Sequence, residues 1–242
     1  MFTISTDGIS TTYHVGSGSS RLRVYDYSAP HTHANSDTHI TVTAHGTISS
    51  ILIVGGGCSG SDVSNYVPAG YNCSGGDSGN VQVYTNINST VLTGGNSSIT
   101  NVAIQLGGGG VIPSSNAYNT NSGSKTSIGV STDYLTFTGG YSASGGTSAT
   151  GKGSGGSAVG KDGGVGTQWV DGLYYGAGGG AGGTEQEGAF FNPVTAIPSG
   201  VGGSSIGGNG RKSGGNPGTG SGGGAGFHGG SGCVKIAVSD PE

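Results

Sequence analysis

Gly176-Ala177-Gly178-Gly179-Gly180-Ala181-Gly182-Gly183 is the stretch on which the fold turns. Neither an α-helix nor a β-strand favours such a run, because glycine loses more backbone freedom on ordering than any other residue. The run lies within residues 139–232, which hold 37 of the 57 glycines in this 242-residue chain. Such a region is either unfolded or adopts a conformation that only glycine permits. The extended left-handed three-residue helix, rising about 3.1 Å per residue without internal hydrogen bonds, is the candidate. Its N–H and C=O groups point sideways and need partners on neighbouring segments. Without side chains, such helices approach closely enough to hydrogen-bond laterally. Collagen is excluded, since strict Gly-X-Y spacing fails inside the quoted run. A bundle of polyglycine-II-type helices is therefore expected over 139–232.

Composition supports order over disorder. Glycine and proline together make up roughly a quarter of the chain, a level at which disorder is the default. Charged residues are only 8%, however, the net charge is -4, and 11 Tyr, 5 Phe and 1 Trp are available for burial. Disordered chains usually combine high charge with few aromatics. Among the basic residues only Arg21/Arg23 and Arg211/Lys212 lie close together, so no nucleic-acid footprint is expected. No apolar run approaches the ~18 residues of a membrane span. The opening MFTISTDGIS has neither the basic nor the apolar segment of a signal peptide, which points to synthesis in a host cytoplasm. Cys58, Cys73 and Cys233 have no metal-ligand spacing; a Cys58–Cys73 bridge and three idle thiols both remain open.

Upstream of the glycine-rich region the pattern is β. In residues 1–50, Thr11–Val15, Arg21–Tyr25 and His39–Thr43 are β-branched and aromatic, the last with period-two alternation. In 51–138, Ile51-Leu52-Ile53-Val54 is a continuous apolar run, as expected of a strand buried on both faces. Val81–Tyr84, Val91–Thr93, Asn101–Leu106 and Tyr134–Thr138 follow as further strands. No segment has convincing 3.6-residue periodicity. The expected fold is mainly β and coil: short strands plus the polyglycine-II-type bundle, with almost no α-helix. The expected division is an N-terminal β segment (1–50), a candidate attachment region, and a glycine-rich domain (51–238) with strands in 51–138.

Catalytic signatures are weak. Gly203-Ser204-Ser205-Ile206-Gly207 matches the G-x-S-x-G elbow, but its glycine-rich flanks supply neither the preceding strand nor the following helix. Glu185 and Glu187 sit in a polar loop with no sign of burial. No catalytic residues are assigned and no enzymatic activity or organic cofactor is expected. His31 and His33, close to Asp37 and His39, would face the same way on an extended strand and could hold one metal ion; the alternative is a solvated polar loop. Two aromatic inserts break the glycine blocks, Gln168–Tyr175 and Ala189–Val194. Trp169, Tyr174, Tyr175, Phe190 and Phe191 are the candidate receptor-binding residues if these inserts form end loops, since exposed aromatics are typical recognition anchors. The same rings could instead fold back and pack.

Four blocks carry a family resemblance: Ile51-Leu52-Ile53-Val54-Gly55-Gly56-Gly57, Gly94-Gly95-Asn96-Ser97-Ser98-Ile99, Leu106-Gly107-Gly108-Gly109-Gly110, and Gly229-Gly230-Ser231-Gly232-Cys233-Val234-Lys235-Ile236-Ala237-Val238. In that order the chain resembles the glycine-rich domain of phage tail and fibre proteins, and is distantly similar to the tail-fibre tip adhesins of T-even phages. The resemblance implies polyglycine helices with receptor-touching loops between them. It also implies that the His31/His33 pair, if repeated in a trimer, would complete an octahedral metal site. The function expected from it is a non-enzymatic virion component of the tail fibre or tail tip that contributes to host-surface recognition. The rival is a capsid decoration or other purely structural virion part. Expected partners are other virion proteins and a host cell-surface glycan or outer-membrane protein, with homo-oligomerisation allowed.

Overall fold

The computed structural model describes residues 2–5, 11–28, 36–61, 74–112, 121–133, 136–144, 146, 161–182, 199–210 and 212–240. Most of the strands build two five-stranded antiparallel sheets. The first has the order β1 (Thr3–Ile4), β4 (Ser36–Ala44), β7 (Asn101–Leu106), β8 (Thr126–Asp133), β9 (Thr136–Ala143). The second has the order β2 (Thr11–Val15), β3 (Leu22–Ser28), β12 (Cys233–Ser239), β5 (Thr47–Val54), β6 (Val81–Asn88). A short hairpin, β10 (Thr167–Gln168) and β11 (Tyr174–Tyr175), stands apart from both. The described residues contain no α-helix, only the 3-10 turns Gly18–Ser20, Ser89–Thr93 and Gly203–Ser205.

Alternation along the strands sets the layers. Ile51 and Ile53 face an apolar interior with Ile40 and Val42 of β4, Val102 and Ile104 of β7, and Val234, Ile236 and Val238 of β12. Leu52 and Val54 face the other way, into a second cluster with Val24, Trp169 and Tyr175. The continuous run Ile51–Val54 is thus buried on both faces, as its composition predicts. One expected strand is not a strand. At Val91–Thr93 the Asn88 side chain accepts from the Thr90 amide and Gly94 takes a left-handed φ of 65°, so the chain closes a 3-10 turn instead.

Two features of the strands and segments cut across the expected division of the chain. The 50/51 boundary falls inside β5, and residues 1–50 are interleaved with later strands: β12 lies between β3 and β5, and β4 pairs with β7. Nor do the glycine segments begin at 139. Val54, Val81 and Cys233 lie side by side in the second sheet, and Thr126 and Ala143 are partners in the first. Beyond this end of the sandwich the chain continues as glycine-rich segments, several of them drawn from 51–138.

Those segments are joined by backbone hydrogen bonds with a repeat of three residues. The amides of Gly55, Cys58 and Ser61 donate to the carbonyls of Asn80, Asp77 and Ser74. Those of Gly56 and Ser59 donate to Ser124 and Asn121, and those of Gly57 and Gly60 to Gly230 and Phe227. One segment therefore addresses three neighbours in rotation, whereas a strand addresses at most two. Gly178 and Ala181 donate to Gly164 and Lys161 with the same step, and Gly200 and Gly203 donate to Ala181 and Gly178. Three blocks quoted for the family resemblance meet here. Gly57 donates to Gly230, Gly110 to Gly57, and Gly229 to Gly110, which closes a triangle.

Candidate functional site

The β10–β11 hairpin covers the outer face of the second sheet. Its register pairs Thr167 with Tyr175 and Gln168 with Tyr174. The turn closes when the Gly172 amide donates to Trp169 O at 2.9 Å and the Leu173 amide donates to Asp171 Oδ1 at 3.0 Å. Gly172 has a φ of 78°, a conformation that glycine adopts without a steric cost.

Side chains on the inner side of the hairpin fasten it. Trp169 is buried and its indole N–H donates to Ser50 Oγ on β5 at 2.9 Å. Tyr175 is also buried, and its hydroxyl donates to Asp171 Oδ2 at 2.7 Å. Tyr13 of β2 donates to the same oxygen at 2.8 Å. Beneath them lies Lys235, on the face of β12 that points away from the apolar interior. Its ammonium donates to Asp26 Oδ2 at 2.7 Å and to the Tyr13 hydroxyl at 3.2 Å, and lies 3.7 Å from Asp171 Oδ2. The Lys235 and Asp171 side chains are only 6% and 2% exposed, so the charges are out of water. The same nitrogen is 5.3 Å from the centre of the Tyr13 ring and 5.2 Å from that of Tyr175, within cation–π range.

The electrostatics follow from this geometry. Burial works against the Lys235 charge, but the Asp26 carboxylate and its hydrogen bond outweigh it and hold the ammonium above the ordinary lysine range. Burial, with Asp171 accepting their hydrogen bonds, raises both Tyr13 and Tyr175. Burial also raises the thiol of Cys233, which shares this face. The cluster can hold a proton-rich, dry ion pair. No group of three or more potential metal ligands occurs among the described residues.

The candidate receptor residues thus separate. Trp169 and Tyr175 pack inward, because the indole N–H and the phenol both find buried partners on the sheet. Tyr174 is exposed at 37%, beside Val170 and Leu173 on the hairpin. Val165, just before the hairpin, is also exposed, as is Val201, whose carbonyl accepts from Gly163. Phe190, Phe191, His31 and His33 lie outside the described residues. Asp37 and His39 are exposed on β4, on the side opposite the buried Ile40. Gly203–Gly207 lies between glycine segments, without the strand and helix that an elbow requires.

Sequence reasoning passed over the Lys235 cluster. Its members are far apart in the chain, Lys235 and Asp26 by 209 residues and Tyr13 and Asp171 by 158. The one signal was a lysine in the middle of the apolar block Val234–Val238. No protein-family model, curated protein or solved structure matches this chain.

Proposed function

We propose that this chain is a non-enzymatic virion structural protein of a tailed phage, a tail-fibre or tail-tip component that contributes to host-surface recognition. The observation that carries the proposal is the three-residue hydrogen-bond repeat of the glycine segments. We take these segments to be polyglycine-II-type helices, since that helix has three residues per turn and satisfies its backbone only laterally. The family resemblance of the sequence points to the same arrangement. The anchored hairpin supplies a rigid mount on which Val170, Leu173 and Tyr174 face solvent. Pre-ordered presentation of this kind lowers the entropic cost of binding a partner.

The rival is a purely structural virion part, and one observation favours it: two of the three described aromatic candidates, Trp169 and Tyr175, are consumed by packing. A double variant, Leu173→Ala with Tyr174→Ala, separates the two. In a recognition role it lowers adsorption to host cells about thirtyfold, as loss of an anchor contributing about 2 kcal/mol would, with assembly intact. Unchanged adsorption rejects the hairpin as the contact. Antibody-labelled electron microscopy of particles then places the protein, with label over the whole head overturning the tail assignment.

A further inference from the structure

Lys235 and Asp26 are directly opposite each other on the paired strands β12 and β3, so their side chains meet without any movement of the backbone. Nζ is 2.7 Å from Asp26 Oδ2, and Ser28 Oγ donates to Oδ1 at 2.5 Å. The carboxyl carbon is one C–O bond beyond an oxygen already in contact with the amine, so only a small shift separates the pair from a near-attack geometry. A second carboxylate, Asp171, is 3.7 Å from the same nitrogen. The Tyr13 hydroxyl bridges them, accepting from Nζ at 3.2 Å and donating to Asp171 Oδ2 at 2.8 Å. An amine, an acyl carbon, a proton path and a base are thus assembled in one dry site.

We propose that Lys235 and Asp26 condense to form an intramolecular amide that staples β12 to β3, with Asp171 as the proton carrier. Nζ passes a proton to the Asp26 carboxylate, so that a neutral amine faces a neutral acid. Nζ attacks Cγ, the new N–C bond forms, and the nitrogen gives up a second proton through the Tyr13 hydroxyl to Asp171. Asp171 returns that proton to the departing oxygen as the Cγ–O bond breaks, and one water leaves. One ammonium and one carboxylate become one neutral amide plus water, so atoms and charge balance and no external reagent is consumed. Asp171 ends as it began, a carboxylate held by the hydroxyls of Tyr13 and Tyr175.

Two physical factors favour the product. A desolvated ion pair is costly to keep, and the neutral amide removes that cost. The aromatic cover excludes the water that would reverse the step. The reaction is needed once per molecule, so a slow rate suffices even though the ion pair is the resting state. The staple joins residues 209 positions apart, on a strand that also holds the end of a glycine segment in place. It does not depend on what the hairpin contacts.

Intact-mass spectrometry of the folded protein after prolonged incubation tests the proposal. The expected mass is lower than the sequence mass by one water, and digestion yields a branched peptide joining the Asp26 and Lys235 segments. A full sequence mass for the folded wild-type protein overturns the proposal whatever the variants do. So does a water loss that persists in Lys235→Arg, since dehydration at Asp171-Gly172 or Asp162-Gly163 has the same mass. A branch that maps to Asp171 overturns the assignment of Asp26 as the acyl partner. Asp171→Asn is expected to slow the mass change while leaving the site of the branch the same.

Discussion

The sandwich and the glycine bundle are both buried, yet they are held together by different parts of the residue. In the sandwich, side chains fill the interior: Ile51, Ile104 and Ile236 have at most 1% of their surface exposed and meet across the sheets. The strand ladders use backbone groups in only one plane, which leaves the perpendicular direction for packing. In the bundle, successive amides leave in three directions, and the space a side chain would need is already taken by a neighbouring carbonyl. A Cβ is the building material of one region and an obstruction in the other. The change of composition is sharp where β5 leaves the sheet, with Ile51–Val54 on one side of the junction and Gly55–Gly57 on the other.

The largest expected effect comes from placing a side chain where the bundle has no room. A Cβ at Gly179 would overlap the Gly223 carbonyl, a backbone atom that cannot rotate away. Gly179 also donates to Gly76 O at 3.0 Å, so forcing the segments apart leaves buried polar groups unpaired. Gly179→Val is expected to destabilise the protein by about 3–5 kcal/mol, combining overpacking with lost hydrogen bonds. Gly172→Ala is the control. Its φ, unlike that of Gly179, is left-handed, but a Cβ there meets nothing within 4 Å, and the expected cost is only about 1–2 kcal/mol of backbone strain. Urea unfolding checks both, and equal costs would break the distinction drawn between the two regions.

The next effect asks whether the two interiors are one cooperative unit. Ile236→Ala opens a cavity in the sandwich and is expected to cost about 3 kcal/mol. β12 is central in its sheet and runs directly on from Gly229–Gly232, which are bonded to three other glycine-rich segments. Hydrogen exchange at the Gly56 and Gly178 amides should therefore accelerate by the same free energy as global unfolding. Slow exchange there, despite a weakened sandwich, would make the bundle an independent unit.

How much of this was legible in the sequence depends on how local each signal is. Period-two alternation at His39–Thr43 and the apolar run Ile51–Val54 located strands because the pattern reports burial directly. β8 was missed: Thr126–Asp133 is mostly small and polar, and its place depends on pairing with β7 and β9 on either side. The glycine content marked a region but not its extent, since Gly55–Ser61 and Ser74–Asn80 join the same backbone hydrogen-bond network from outside the richest stretch. Trp169 and Tyr175 illustrate the limit most clearly. Nothing near them reveals that Ser50, 119 residues away from Trp169, offers the indole a buried acceptor. The charged cluster was hidden for the same reason: apart from Lys235 inside an apolar strand, its members are ordinary residues until the fold brings them together.

The smallest expected effect lies at the far end of β12, where the sandwich is closed by charge and not by packing. Asp240 Oδ2 lies 2.9 Å from His14 Nε2, and the Arg23 guanidinium holds both carboxylate oxygens at 2.9–3.1 Å. Some desolvation opposes the Asp240 charge, but the hydrogen bonds from His14 and Arg23 outweigh it, and its pKa lies below the ordinary carboxylate value. A carboxyl depressed in the folded state contributes stability that is present above its unfolded pKa and lost as pH falls through the folded one. The latch is thus expected to be intact at neutral pH and to open only as the pH falls below the ordinary carboxylate range. Because the pair is exposed, salt should weaken it and its total contribution should be small. Asp240→Asn is expected to leave glycine-bundle exchange unchanged while removing part of the acid dependence of unfolding. An Asp240→Asn protein whose unfolding midpoint follows the wild-type pH curve down to acid would show that β12 is held at this end by its ladder alone.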